Sequence, residues 1–347
     1  MKFLFAAAAV AFSAVLVKGN DDDALAKRLI DDLVAKSNAD PAGFANELRS
    51  SPYAAVVDWP GALTLGGGSS SLPLVFAHGM GDSCFNAGMK QITADSGKHL
   101  NVYSVCVPTG NNTISDTING FLMNMDKSVD VFADKIMADP NLKNGFHAVG
   151  FSQGNSLIRG YIQRYNDVGP TCHTHLSVHG TVFGVAGFPQ CDPSKSGFCA
   201  GVAKLLGDLA YNKLVQGILF QANYLRDPYK ATSSDYLQNS QIADWNNEGS
   251  SPNSKYNANF AKVDKFIMVK AKGDTMVFPN DGEWWGTFAP NSFSERLAMN
   301  ETRMYKDDLF GLKTADEAGK IFFESTEGNH LQFTETQLFG WLDRYLN

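Results

Sequence analysis

The run of apolar and polar positions divides the chain into three regions. Behind Lys2, residues 3–17 are almost continuously apolar, and small or polar residues follow around Lys18, Gly19 and Asn20. The run falls short of the ~20 residues that span a bilayer. Its layout is that of a secretory signal peptide, expected over residues 1–19. From 20 to 71 the pattern is mixed. Asp21 to Asp23 precede a helical pattern over 24–35 with Leu25, Leu29, Ile30 and Leu33 on one face. Pro41, Pro52 and Pro60 then interrupt it, and Gly66-Gly67-Gly68-Ser69-Ser70-Ser71 reads as a linker. Residues 20–71 are expected to be an N-terminal extension, either a pro-segment or a docked helix.

From residue 72 short apolar runs alternate with helical periodicity. Residues 72–77 and 101–107 read as strands, 114–137 as helix, and 175–178, 266–270 and 321–323 as further strands. This alternation predicts an α/β fold, with a mostly parallel central sheet flanked by helices. Residues 72–347 are expected to be one catalytic domain. Between about 190 and 264 the pattern turns from strands to helices, which marks an insertion between two sheet strands, expected to form a lid or acyl-binding subdomain.

Within this frame Gly145 to Arg164 carries the candidate chemistry. Phe146, Ala148 and Val149 lead into Gly150-Phe151-Ser152-Gln153-Gly154, after which Leu157, Ile158, Tyr161 and Ile162 recur at helical spacing. Strand, sharp turn and helix are the context of a nucleophile elbow, which would expose Ser152 Oγ above the strand ends. The Gln153 amide would then face an oxyanion. Reactive groups in such sheets gather at the carboxyl ends of strands. There the sequence places Asp274 after the strand 266–270, and His330 after the strand 321–323. Histidine can take the serine proton and aspartate can hold its tautomer. The order Ser, Asp, His is that of α/β-hydrolases. Asp281 is a rival acid, farther past its strand. His78 beside Gly79 is expected to shape an oxyanion loop in which Met80 supplies its amide. His173, His175 and His179 are read as structural rather than as metal ligands.

The net charge of −7 and the lack of a long basic run argue against nucleic-acid binding. No later apolar stretch has the length of a transmembrane helix. Five cysteines in a secreted chain are expected to pair. Cys191 and Cys199 enclose a short, bendable loop; Cys84 and Cys106 lie near one rim of the sheet; Cys172 is left over. Asn111-Asn112-Thr113 and Asn300-Glu301-Thr302 are glycan acceptor sequences, at Asn111 and Asn300.

Over residues 72–347 the chain resembles the palmitoyl-protein thioesterases, a family of lysosomal or secreted α/β-hydrolases. The resemblance is carried by His78-Gly79-Met80-Gly81-Asp82-Ser83-Cys84, by the elbow, and by Gly187-Phe188-Pro189-Gln190-Cys191. It continues in Lys265 to Lys270, Asp281-Gly282-Glu283-Trp284-Trp285-Gly286 and Glu327-Gly328-Asn329-His330-Leu331-Gln332. It implies Ser152 as nucleophile, Asp274 as acid, His330 as base, and the Met80 and Gln153 amides as oxyanion hole. It implies an enzyme that removes palmitoyl groups from cysteine without metal or organic cofactor. S-palmitoylated proteins or peptides, acyl-CoA and acyl-cysteine are the substrates it suggests, in the lysosome, vacuole or extracellular space. A secreted lipase or carboxylesterase acting on oxygen esters would need the same triad and is the alternative. The chain departs from the family at Asn155, where a second glycine is usual, and at Asn329, where aspartate is common.

Overall fold

The strand Leu74–Ala77 is apolar at every position and every residue is buried, the mark of a strand covered on both faces. In the computed structural model, which describes residues 18–61, 70–188, 202 and 205–346, it lies inside a six-stranded sheet. The signal peptide expected at 1–19 lies outside the described residues except for its last two. Cys191, Cys199 and most of the Gly/Ser linker also lie outside them.

The extension begins with α1 (Lys18–Ala39) and α2 (Pro41–Arg49). Pro41, which reads as a break in sequence, instead starts α2: it occupies the first turn, where its missing N–H is not needed, and Asp40 caps the Gly43 amide. Ala26, Ile30, Leu33, Phe44, Leu48 and Tyr53 are buried in the same cluster as Met80 and Phe121. The extension therefore shares the main core.

Next come β1 (Leu74–Ala77), α3 (Ala87–Leu100), β2 (Ser104–Cys106), α4 (Thr113–Leu122), α5 (Met125–Ala138), β3 (Phe146–Phe151), α6 (Gly154–Tyr165) and β4 (Cys172–Val178). The helix expected over 114–137 is two helices. Met123 turns extended and Asn124 caps the second through the Lys127 amide, a local bond that competes with helix continuation. The described part of the insertion holds short helices: α7 (Lys213–Gln216), α8 (Phe220–Asn223), α9 (Ser234–Asn239), α10 (Gln241–Trp245) and α11 (Ser254–Phe260). After it follow β5 (Lys265–Ala271), a small β6–β7 ribbon (Thr287–Phe288, Arg296–Leu297), α12 (Arg303–Lys306), α13 (Leu312–Glu317), β8 (Ile321–Thr326) and α14 (Glu335–Tyr345).

The sheet order is β2-β1-β3-β4-β5-β8, parallel at every pairing. Successive strand residues point to opposite faces. Leu74, Phe76, Val149 and Phe151 accordingly pack with Met89 and Ile92 of α3 and Leu338 and Trp341 of α14. Val75, Ala77, Phe146 and Ala148 join Phe121, Val129, Phe132 and Leu157 on the other face. This is the α/β-hydrolase architecture, and it brings the loops after β1, β3, β5 and β8 to one edge.

Candidate active site

Ser152 lies between β3 and α6 with φ of +52°, in the left-handed region. A non-glycine residue there costs about 1–3 kcal/mol, so the surroundings must enforce it. They do so by crowding. A Cβ on Gly154 would lie 2.3 Å from Ala77 O, and one on Gly150 would lie 2.2 Å from Asn155 Oδ1. Both flanking glycines are thus required by close approach. Asn155, fully buried, braces the turn: its Nδ2 donates to Ser152 O (3.0 Å) and Val178 O (3.3 Å), and its Oδ1 accepts from His175 Nε2 (3.0 Å). A glycine at this position could make none of these bonds.

Asp274 follows the end of β5. Its Oδ1 accepts the amides of Met276 (2.6 Å) and Val277 (2.8 Å), and its Oδ2 lies 2.5 Å from His330 Nδ1. Burial alone would raise this carboxyl, but the charge and hydrogen bond of His330 with the other donors hold it well below the carboxylate range. His330 follows β8, and its Nε2 lies 2.8 Å from Ser152 Oγ. With Nδ1–H donating to Asp274, Nε2 is free to accept the serine proton. Asn329 aligns the two loops, because its Oδ1 accepts from the His330 amide (2.7 Å), the Thr275 amide (2.9 Å) and Thr275 Oγ1 (3.0 Å). An ionised aspartate could also accept these bonds, whereas asparagine does so without adding charge beside Asp274.

Met80 sits in the loop after β1. His78 Nδ1 donates to Gly79 O (2.9 Å) and its Nε2 lies 3.2 Å from Asp116 Oδ2, an ion pair sealed from water. Cys84 in the same loop is disulfide-bonded to Cys106 at the end of β2. The Gln153 side chain donates to Gly120 O (2.8 Å) and accepts from Gln221 Nε2 (2.9 Å) and Tyr224 OH (3.1 Å). The helical insertion thereby touches the elbow directly. Asp116, Gln221 and Tyr224 escape sequence reasoning, since no local pattern links them to residues 30 to 150 positions away.

Other candidates lie elsewhere. Asp281 pairs with Lys270 and with Arg296 (2.9 Å), and not with His330. The three histidines of 173–179 diverge to separate partners. His173 meets Asp264 and His175 meets Asn155. His179 accepts the Leu331 amide (2.8 Å) and donates to Thr326 Oγ1 (3.0 Å). Burial, then the nearby His330, push His179 down to about 3, so it stays neutral. Cys172 is a buried free thiol, and Asn111 and Asn300 are exposed.

A family model described as palmitoyl protein thioesterase matches residues 73–330. Palmitoyl-protein thioesterase 1 of Caenorhabditis elegans is 35% identical over 275 residues, covering 78% of this chain and 90% of that protein. Palmitoyl-protein thioesterase 3 of Dictyostelium discoideum is 30% identical over 264 residues, covering 76% and 86%. Among solved structures, the Paleococcus ferrophilus monoacylglycerol lipase overlays with a TM-score of 0.40 at 13% identity, covering 81% and 95%, too loosely to carry an argument. The family match across most of the chain, with two relatives spanned nearly end to end, makes this chain a thioesterase-like hydrolase that belongs to the palmitoyl protein thioesterase family.

Proposed function

We propose that this enzyme hydrolyses the thioester between a long-chain fatty acid, such as palmitate, and a cysteine of a protein or peptide. One observation carries the reading: the continuous line from Ser152 Oγ through His330 to Asp274, held at the strand ends of a thioesterase-family fold. Ser152 Oγ attacks the thioester carbonyl as its proton passes to His330 Nε2. The Met80 and Gln153 amides receive the developing oxyanion. As the C–S bond breaks, His330 returns the proton to the leaving cysteine sulfur, and an acyl-Ser152 ester remains. Water then gives a proton to His330 and attacks the ester; as the acyl C–O bond breaks, His330 passes that proton to Ser152 Oγ, which frees the fatty acid and restores Ser152. The reaction as written uses no metal or organic cofactor.

Acyl-CoA and acyl-cysteine fit the same chemistry as small substrates. The signal-peptide layout of residues 1–19 and the Cys84–Cys106 bond support passage through the secretory pathway, to a lysosome, vacuole or the exterior. In that route Asn111 and Asn300 would carry glycans. Labelling with a serine-directed fluorophosphonate tests the mechanism: Ser152 takes the label, and Ser152→Ala loses both label and about 10⁴-fold or more in turnover. Retained activity in that variant would remove Ser152 from the reaction. A palmitoyl-cysteine peptide should also outcompete a short oxygen ester; the reverse order would favour a carboxylesterase.

A further inference from the structure

A cavity of about 430 Å³ opens beside β8, and none of the residues that line it belongs to the proposed triad. Its wall includes Asp281, Trp284, Met299, Asn300, Asp316 and Phe323. β8 is an edge strand of the sheet, and only Thr326 on it is buried. An uncovered apolar edge invites pairing with other chains, so proteins cover or charge such edges. Phe323 is nevertheless 43% exposed there. Beside it the Trp284 ring is held in place: its Nε1 donates to Met268 O (2.9 Å) on β5 and to Glu324 O (3.0 Å) on β8. The two ring centres are 5.5 Å apart with the planes at 65°, which makes a rigid apolar corner. Carboxylates stand at its rim. Asp316 Oδ2 accepts from Tyr305 OH (2.6 Å), and Asp281 pairs with Lys270 and Arg296. Each carboxylate keeps lone pairs for further hydroxyl donors. An apolar corner rimmed by acceptors suits a pyranose, which has apolar C–H faces and O–H donors around its edge.

Asn300 decides which sugar reaches the corner. It lines the cavity, is exposed, and is the acceptor of Asn300-Glu301-Thr302. The other two residues of that sequence are tied into the turn. Glu301 Oε2 accepts the Ala298 amide (2.9 Å), and Thr302 Oγ1 donates to Met299 O (2.7 Å) and accepts the Tyr305 amide (3.2 Å). We propose that the corner of Trp284 and Phe323 binds this chain's own sugar, the first N-acetylglucosamine of an N-linked glycan on Asn300. The inference rests on the secretory-pathway reading, which supplies the glycan. There Asn300 Nδ2 loses a proton and bonds to C1 of the sugar as the pyrophosphate of an oligosaccharide donor leaves. Thr302 is fully buried in the fold, so this transfer precedes closure of the turn. Afterwards the covalent tether holds the sugar beside the rings at high effective concentration, and a contact too weak to capture free sugar is filled. The bound sugar covers Phe323 and shields the open edge of β8.

The test uses the full chain secreted from a eukaryotic host and trimmed by an endoglycosidase to one N-acetylglucosamine at each acceptor. Glycopeptide mapping should find the sugar on Asn300. Asn300→Gln should lower the melting temperature by about 2–4 °C. The control Asn111→Gln should move it by less than about 1 °C. In a Phe323→Ala background, where half of the corner is gone, the effect of Asn300→Gln should disappear, the non-additivity expected of groups in contact. Proton spectra should show carbon-bound protons of the Asn300 sugar shifted upfield by the rings, and Phe323→Ala should return them. An Asn300→Gln effect that persists unchanged beside Phe323→Ala, or sugar protons at their free-solution positions, would overturn the proposal. So would ring signals of the Asn300→Gln protein that respond to tetramethylammonium and not to N-acetylglucosamine, which would assign the corner to a cation. A glycan on Asn111 with Asn300 bare would end the proposal and leave the secretory reading standing, whereas two bare sites would remove both. Should Phe323→Ala fail to fold, the sugar protons of the native chain still decide.

Discussion

Asp116 gathers Ser83 Oγ, the amides of Cys84, Thr109 and Gly110, and Thr109 Oγ1 on one buried carboxylate, with His78 beside it. It thus ties the loop after β1 to the loop after β2. Burial alone would lower His78, but the charge of Asp116, with Asp82 adding to it, raises it to about 9. Asp116 in turn is held well below the carboxylate range, chiefly by His78 against its own burial. The two shifts set a pH window. A raised histidine stabilises the fold fully below its unfolded value of about 6.5, and that contribution fades as the pH climbs through about 9. A depressed aspartate stabilises above about 3.9 and loses its contribution as the pH falls further. The pair therefore contributes fully only in mildly acidic solution. Melting temperature followed from pH 6.5 to 9 should fall in the native chain and fall less in His78→Gln. A flat native curve across that range would show that His78 is not charged in the fold.

Residues 53–59, which lead out of α2, run across the loop after β1 like an extra layer. The Ala55 amide donates to Met80 O (2.6 Å) and the Val57 amide to buried Asp82 Oδ2 (2.8 Å). A Cβ on Gly79 would lie 2.4 Å from Ala55 O and 3.2 Å from Ser152 Cβ, so only glycine fits between this segment and Ser152. Trp59 donates to Asp95 Oδ2 (3.0 Å) and packs against Phe333, three residues past His330. Removing the chain up to and including this segment would strip a donor from Asp82 and delete Phe44, Leu48 and Tyr53, each worth about 1.5–3 kcal/mol of apolar burial. The active protein is therefore expected to keep it. N-terminal sequencing of the mature enzyme should find a start before residue 53, and a start beyond Gly61 with full activity would refute this. Val57→Pro, which deletes the amide donor to Asp82, should lower kcat more than it raises KM and destabilise by about 1–3 kcal/mol. Thermal melting alongside kinetics separates the two effects.

For the molecule as a whole, the proposed selectivity depends on how much acyl chain leaves water. Each buried methylene contributes about 0.8 kcal/mol, so six more, from ten carbons to sixteen, could add up to about 5 kcal/mol before the cost of ordering the chain. Efficiency measured on acyl thioesters of increasing length, below micelle-forming concentrations, should rise to a plateau. No gain beyond about eight carbons would remove long-chain burial from the account. The periodicity of apolar residues was enough to place the sheet strands, because a parallel strand covered on both faces must be a short apolar run. The elbow was legible for a similar reason: strand, Gly-Phe-Ser-Gln-Gly and helix are contiguous, and chain order then pointed to Asp274 and His330. Pro41 misled as a break because its role at a helix start depends on the Asp40 cap beside it. Only the tertiary structure decided that the extension shares the core and presses on the loop after β1, and that Asp116 anchors His78. Those contacts join segments far apart in the chain, and burial exists only once the chain has folded.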